Sequence, residues 1–422
     1  MSLVQDNRST QAPVDGPARC PVDHGAVAQK KSVRPLPDGA PLVDQDSQRV
    51  WHVRGFEEAR AVLRSSETQQ AGFKAELVTA GNPLSNRPIL YQEGKVHQEQ
   101  RTKTARFFTP RTVSAQYRQL MERLADRLVA YARRQPQVDL TKLSLTMAVQ
   151  VAAQVVGLTN SRRRGLDRRL DAFFAETTVS RHRGTLGRLM QIVNMRRLLS
   201  FYWVDVRPAI QARRVRPQED VISHLLAQNY TDREILTECV TYAAAGMATT
   251  REFISMAAWH LLEHPDLRAR YLAAPEEERV AILHEMLRLE PVVGHLYRRA
   301  TGDIPIQSNG AAVVIPNGAL IDLHLEAANL DARVVGDAPT AVCPMRPLHG
   351  ERIGPMLMSF GDGAHRCPGA YLAIQETDIF LQRLLAIPNL RIARPPTLTW
   401  NELTAGYELR RFLLAHDAAP AA

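Results

Sequence analysis

A short glycine-rich segment near the C-terminal end constrains this chain most strongly. It reads FGDGAHRCPG from Phe360 to Gly369 and contains Cys367. Pro368 follows the cysteine, and a helix-forming run, AYLAIQETDIFLQRLL, comes next. Because proline is favoured at the first position of a helix, the pattern predicts a helix over residues 369–386 with Cys367 directly before it.

A thiol at a helix start has distinctive chemistry. The positive end of the helix dipole and the free backbone N–H groups lower a thiol pKa, so we expect Cys367 to form a thiolate. A lone thiolate with hydrogen-bonded sulfur suits a haem iron. The residues alone leave three other interpretations open: a small buried side chain, a nucleophile with His365 as base, and a zinc ligand. No C-x-x-C pair occurs in the chain, which disfavours zinc.

The same segment resembles the cysteine-ligand loop of the cytochromes P450, F-x-x-G-x-H-x-C-x-G, with every fixed residue present. The family's continuation, Leu-Ala-x-x-Glu, follows at residues 372–376. The resemblance implies the cytochrome P450 fold, mostly α with small β-sheets, and haem b as cofactor. It implies that Cys367 is the axial iron ligand, that Phe360 and Gly369 lie beside it, and that His365 contacts a haem propionate.

Further motifs of the family occur in the expected order. Glu285 and Arg288 match its E-x-x-R, where residues three apart share a helix face and can form a pair. The resemblance adds Arg346 as the third member of a structural triad.

Three more residues match propionate-binding positions of the family. They are His97 and Arg101, in the pattern H-x-x-x-R, and Arg298, just ahead of a predicted β region. Arginine cations and histidine N–H donors form strong, charge-assisted hydrogen bonds with carboxylates such as the two haem propionates.

A long predicted helix over residues 231–263 carries the oxygen-side motif. Its sequence AGMATT, residues 245–250, resembles the family's A-G-x-[D/E]-T-[T/S]. The likeness assigns Gly246 and Thr249 to the catalytic site, with the Thr249 hydroxyl assisting proton delivery. Alternatively, that hydroxyl bonds only to its own i−4 carbonyl. Ala248 replaces the usual acid, which leaves three options: a proton route through Glu252 or substrate groups, oxidative coupling, or use of peroxide.

The substrate pocket is expected, by the same likeness, from several separate stretches. They include the loop 73–96, the region 173–202 and the turn near residues 405–407. The residues expected to line it are Ala244, Met247, Val292, Val293, Leu296 and Tyr407. Most are apolar or small, which suits an apolar or aromatic ligand. Arg181, His182 and Arg183 could meet a polar group, although a solvated loop is the simpler interpretation.

The composition indicates which broad class of protein this is. The chain has 422 residues, a net charge of +9 and 23% charged residues, which are ordinary values for a globular protein. The polar start of the sequence predicts a flexible tail over residues 1–44, followed by a single haem domain over 45–422. Neither a signal peptide nor a membrane-spanning run is evident, so we expect a cytoplasmic protein. Arginine clusters without a nucleic-acid-binding motif do not predict a nucleic-acid partner.

The expected activity is therefore that of a haem-thiolate monooxygenase. It would activate O2 with electrons from a ferredoxin and a ferredoxin reductase, and oxidise a small, largely apolar molecule such as a secondary metabolite. Exposed bases near the cysteine, such as Lys103, Arg106 and Arg366, would attract an acidic donor. The alternatives are an oxidative C–C or C–N coupling enzyme, a peroxide-using enzyme and a haem-thiolate protein without turnover.

Overall fold

The computed structural model describes residues 30–32, 39–73, 87–175, 185–402 and 404–417. In this part of the chain helices dominate, as the sequence predicts. The α-helices are α1 Phe56–Arg64, α2 Gly94–Ala105, α3 Pro110–Thr112, α4 Arg118–Arg133, α5 Leu140–Val156, α6 Leu166–Ala175, α7 Thr185–Phe201, α8 Arg207–Val215, α9 Val221–Ala227, α10 Asp232–Tyr242, α11 Thr249–Glu263, α12 Pro265–Ala273, α13 Glu276–Leu289, α14 Leu325–Asn329, α15 Ala332–Val335 and α16 Ala370–Leu385. Wider π turns span Val113–Tyr117, Tyr202–Val206 and Ala243–Ala248, and 3-10 turns span Ile89–Tyr91 and Gly363–His365.

The strands form small sheets. They are β1 Val43–Gln45, β2 Val50–Val53, β3 Thr68–Gln70, β4 Gln137–Asp139, β5 His295–Ala300, β6 Ile304–Ser308, β7 Ala311–Ile315, β8 Leu320–His324, β9 Arg391–Arg394, β10 Thr397–Asn401, β11 Gly406–Arg410 and β12 Leu413–Ala415. The largest described sheet has the order β1-β2-β8-β5-β3, and β4-β12-β9, β10-β11 and β6-β7 form the others.

Local sequence signals account for many of these boundaries. Thr231 caps α10 in a capping box with Glu234, as the T-x-x-E pattern predicts. Asn309 and Gly310 both have positive φ, of 49° and 79°, in the hairpin between β6 and β7. An Asn-Gly pair is favoured there because a two-residue hairpin turn requires that backbone conformation.

Two hydrophobic cores support the fold. The larger joins α4, α5, α11, α13 and α16, and buries residues such as Met121, Met147 and Phe380. The smaller lies between α1 and the five-stranded sheet, where Phe56 and Val62 meet Ile321 and Leu323. The apolar residues of α1 recur at helical spacing and are all buried, namely Phe56, Ala59, Val62 and Leu63.

The start of the folded region lies earlier than the sequence indicates. The expected boundary after residue 44 falls inside β1, which pairs with β2. Further upstream, the Ser32 backbone N–H donates to the buried carboxylate of Glu290 at 3.1 Å. A buried carboxylate needs hydrogen-bond donors, and Ser32 supplies one. The polar residues 30–32 are therefore held against the folded domain.

The helical stretch from α10 to α11 is not uniform. Residues 243–248 between them form a π turn, a feature that often marks a functional site. Within the described ranges, no helix combines the length and the apolar character needed to cross a bilayer.

Candidate functional site

The cysteine loop is tied to its surroundings by backbone contacts. The Cys367 N–H donates to the Phe360 carbonyl at 2.8 Å, which closes the loop. Gly363 has φ of 66°, and a Cβ there would lie 2.0 Å from the Leu63 carbonyl oxygen, so only glycine fits. Asp362 accepts from Arg64 Nε at 2.9 Å. The loop is thus anchored to the end of α1.

Cys367 is exposed, and α16 begins three residues after it, as predicted. Although the residue is open to solvent, protein atoms surround its sulfur closely. This desolvation raises the pKa of the Cys367 thiol, while the Gly369 N–H and the charges of Arg101 and Arg366 lower it. The expected net lowering of the thiol pKa is therefore wrong for the protein alone, because desolvation outweighs the donors and the positive charges.

Two predicted histidines meet beside the cysteine loop. The rings of His97 and His365 stack with centroids 4.0 Å apart and planes 15° apart. Burial, followed by the charges of His365 and Arg101, lowers the pKa of His97 to about 4, so this imidazole is neutral at pH 7. Arg101 lies on the same helix and donates to the Arg366 carbonyl. The structure therefore brings α2 and the cysteine loop together.

An unpredicted residue, Glu93, occupies the centre of this basic group. Its Oε2 lies 3.0 Å from Nε2 of His365, and its Oε1 lies 3.6 Å from a terminal nitrogen of Arg298. Arg298 is only 2% exposed, and its Nε has no hydrogen-bond partner among the described residues. One carboxylate thus contacts two of the four side chains that the family resemblance assigns to propionates. Nothing in the sequence distinguishes Glu93 except its position just before α2.

The three triad residues also meet. Glu285 accepts from Arg288 Nε at 2.7 Å and from Arg346 Nε at 3.3 Å. Arg288 is 1% exposed and donates to the carbonyls of Pro339 and Ala341. Its charge therefore holds the irregular segment that leads to the cysteine loop.

The oxygen-side motif coincides with the π turn. Ala245 is exposed, and Gly246, Ala248 and Thr249 are half-buried, although the flanking helix is mostly buried. The Thr249 hydroxyl donates to the Ala245 carbonyl at 2.5 Å, which matches the alternative interpretation of this residue. A Cβ on Gly246 would meet only the Ala152 Cβ, at 4.0 Å, so the protein itself does not require glycine there.

Glu252 is not available as the replacement acid. Its carboxylate accepts from Arg251 at 2.8 Å, from the Leu409 N–H at 2.7 Å and from Arg410 at 2.7 Å. It is 3% exposed. A carboxylate held by two arginines in the core stabilises the fold and does not relay protons to an adjacent cleft.

The expected pocket residues separate into two groups. Ala244, Val293 and Leu296 are half-buried, and Leu296 lies beside Gly361 of the cysteine loop. The other three are buried in the larger hydrophobic core: Met247, Val292 and Tyr407.

Tyr407 lies in a tight junction. Its hydroxyl donates to the Glu290 carbonyl at 3.3 Å, and a Cβ on the adjacent Gly406 would lie 1.8 Å from the Val292 carbonyl oxygen. The two predicted pocket segments therefore meet. Arg181, His182, Arg183 and most of the loop 73–96 lie outside the described residues.

The donor set fits a haem. Cys367 is an exposed residue that offers one sulfur, and Arg298 offers an unpartnered buried N–H beside two histidines. Space at Gly246 and an exposed Ala245 leave room beside the π turn for a small molecule. A thiolate ligand with positive side chains around the carboxylate positions is the arrangement that a haem-thiolate site needs.

Comparison with known proteins supports this interpretation. The family model described as Cytochrome P450 matches residues 280–392, which contain the triad and the cysteine loop. The chain is 28% identical over 353 residues to the biotin biosynthesis cytochrome P450 of Bacillus subtilis, covering 81% of this chain and 84% of that protein. It is 29% identical to the nocardicin C N-oxygenase of Nocardia uniformis, covering 82% and 84%.

Solved structures agree on the fold. The post-tailoring hydroxylase HmtN, involved in himastatin biosynthesis, superposes with a TM-score of 0.70 at 24% identity, covering 91% of this chain and 95% of that one. The likeness extends over nearly the whole molecule and includes the region of the cysteine loop. Residues 280–392 thus match the cytochrome P450 family model, and most of the chain is similar to bacterial cytochromes P450, which are haem-thiolate monooxygenases.

Proposed function

We propose that this protein binds haem b through Cys367 and oxidises a small, largely apolar organic molecule, by hydroxylation in the first instance. The observation that carries the proposal is the exposed Cys367 in a loop bordered by His97, His365 and Arg298. When bound there, haem supplies dioxygen activation, which the thiolate promotes.

The basic group beside the cysteine loop would hold the propionates. Arg298 offers a buried guanidinium, His97 a neutral imidazole donor and His365 a second ring nitrogen. Arg101, close to the sulfur, contributes positive charge that favours the thiolate. In this assignment Glu93 releases both basic partners when the propionates arrive, because like charges repel each other at that distance.

Thr249 would supply the proton-bearing group on the opposite side. In the structure its hydroxyl donates to Ala245, so it must rotate to donate elsewhere. Ala248 offers no acid, and Glu252 is held by two arginines. These two observations favour a second candidate function, peroxide use or oxidative coupling, in which the proton relay matters less.

An apolar substrate class follows from the lining. Ala244, Val293 and Leu296 present small or apolar groups beside the cysteine loop and the π turn. The names of two of the similar proteins, a nocardicin N-oxygenase and a himastatin hydroxylase, support a secondary metabolite as substrate.

The electron donor would be an acidic ferredoxin, itself reduced by a ferredoxin reductase. The exposed basic residues are Lys103 on α2, Arg106 just after it and Arg366 in the cysteine loop. Charge reversal of Lys103 and Arg106 should slow reduction by such a donor, and the difference should shrink at high salt. Equal rates for the variant and the wild-type protein would contradict this docking site.

The test begins with the purified, haem-loaded protein. Reduction and addition of carbon monoxide should give a red-shifted thiolate-type band, which Cys367→Ala should lose. A Soret-shift screen then identifies ligands, and turnover of a hit gives the product mass. One added oxygen supports hydroxylation, whereas loss of two hydrogens supports coupling. Product formed only with peroxide supports the second candidate, and folded, haem-loaded protein without the red-shifted band would overturn the proposal.

A further inference from the structure

A cluster of histidines and aspartates lies on the five-stranded sheet, away from the cysteine loop. His52 lies on β2, Asp322 and His324 lie on β8, and His295 lies on β5. The register pairs His52 with Asp322 and His295 with His324. Since side chains alternate between the two faces of a strand, His295 and Arg298 point to opposite faces of β5. The cluster is therefore separate from the haem-binding group.

Three ligand atoms converge within this cluster. His52 Nδ1 and His324 Nε2 lie 2.9 Å apart, and each lies 3.5 Å from Oδ2 of Asp322. A tetrahedral zinc ion with bonds of about 2.0–2.1 Å requires ligand atoms about 3.3 Å apart. The observed spacings match this requirement to within a few tenths of an ångström.

The remaining ligand-side atoms of His52 and Asp322 also have partners. Asp46 Oδ2 lies 3.3 Å from Nε2 of His52, and Nδ1 of His295 lies 2.7 Å from Oδ1 of Asp322. A carboxylate on the far nitrogen of a metal-binding histidine fixes the ring orientation and raises its basicity. The side chains of His324 and Asp322 are 12% and 7% exposed, so the site is sheltered yet reachable.

We propose that His52, Asp322 and His324 bind one divalent transition-metal ion, zinc, with Asp46 and His295 orienting two of the ligands. Two imidazoles and one carboxylate are a donor set that zinc favours, and three protein ligands leave a position for water. The ion would join β2 to β8 and stabilise the sheet that carries Arg298. The proposal does not depend on the proposed oxidation chemistry.

The experiment uses the full-length, haem-loaded protein, so that Cys367 is already engaged. After chelation and buffer exchange, zinc sulfate is titrated calorimetrically, and zinc and iron are counted by mass spectrometry. We expect one zinc per chain besides the haem iron, and a melting temperature that rises with zinc. X-ray absorption at the zinc edge should show nitrogen and oxygen ligands without sulfur.

Variants connect the binding to these residues. H324Q and H52Q should each weaken zinc binding by more than about 100-fold, and D46N by about 10- to 100-fold. H349Q removes an exposed histidine elsewhere and should bind like the wild-type protein. Should H324Q fail to fold, the wild-type absorption spectrum and D46N still decide the question. A sulfur ligand, unchanged affinity in D46N and H52Q, or no zinc bound by the wild-type protein would overturn the proposal.

Discussion

The carboxylate of Glu93 and the imidazole of His365 form a pair 3.0 Å long, although 272 residues separate them in the sequence. The same carboxylate lies 3.6 Å from Arg298. Burial alone would raise the pKa of Glu93, but the hydrogen bond and the charge of His365 lower that pKa by more. The pKa therefore lies below its usual value, and the carboxyl group is anionic at pH 7. A protein carboxylate thus occupies the position that we assign to a cofactor carboxylate.

Removing that charge should favour haem binding. Glu93→Gln frees His365 and Arg298 for the propionates, so we expect haem to bind the apoprotein about tenfold more tightly. Haem titration followed by Soret absorbance measures this. Glu99→Gln, on an exposed position of α2, is the matched control. Weaker binding in Glu93→Gln would mean that Glu93 organises the basic group instead of competing for it.

Breaking the triad should destabilise the whole protein. Glu285→Gln leaves Arg288 as a buried charge without its carboxylate, and such a loss costs about 3–5 kcal/mol. Urea unfolding followed by circular dichroism should show this decrease in the free energy of unfolding. Asp126→Asn breaks the more exposed pair with Arg383 and should cost less than about 1 kcal/mol. Similar losses in the two variants would argue against a special role for the triad.

Glu238 should make stability depend on pH. Burial raises its pKa to about 8, while the Ile89 N–H, which donates at 3.0 Å, lowers it. Since the folded-state pKa lies above the unfolded value, its stabilising contribution is complete below about pH 4.5 and is lost as pH rises through about 8. Glu238→Gln stays neutral and should lack this loss.

The measurement for Glu238 is the free energy of unfolding between about pH 5 and pH 8.5. The wild-type protein should lose stability relative to Glu238→Gln as pH rises, because the ionised carboxylate is poorly solvated in the core. If the two proteins gave parallel pH profiles, ionisation of Glu238 would not reduce the stability of the folded protein, and the prediction would be wrong.

We expect Thr249 to determine how much product is formed per electron pair consumed. Thr249→Val removes the hydroxyl at constant shape, so we expect product per electron pair to fall by about tenfold or more and released peroxide to rise. Thr241→Val is the matched control, because Thr241 also donates to its i−4 carbonyl, at 2.9 Å. Equal coupling in both variants would assign Thr249 a structural role, and unimpaired peroxide-driven turnover in Thr249→Val would support the second candidate function.

Local features could be predicted from the sequence. The helix predicted over residues 369–386 is found at Ala370–Leu385, and the Thr231 capping box and the Asn309-Gly310 turn are present. Each depends on residues a few positions apart, because capping, proline placement and positive φ are short-range effects. The position of Cys367 in a glycine-rich loop directly before a helix followed from the same short-range signals.

Long-range neighbours were decided only by the tertiary structure. Nothing in the sequence pairs Glu93 with His365, or His52 with His324, which are likewise 272 residues apart. The net direction of the Cys367 pKa shift and the burial of Tyr407 were also missed. Desolvation and side-chain contacts depend on which distant segments the fold brings together. The number of atoms that surround a group is therefore not encoded in the periodicity or spacing of residues along the chain.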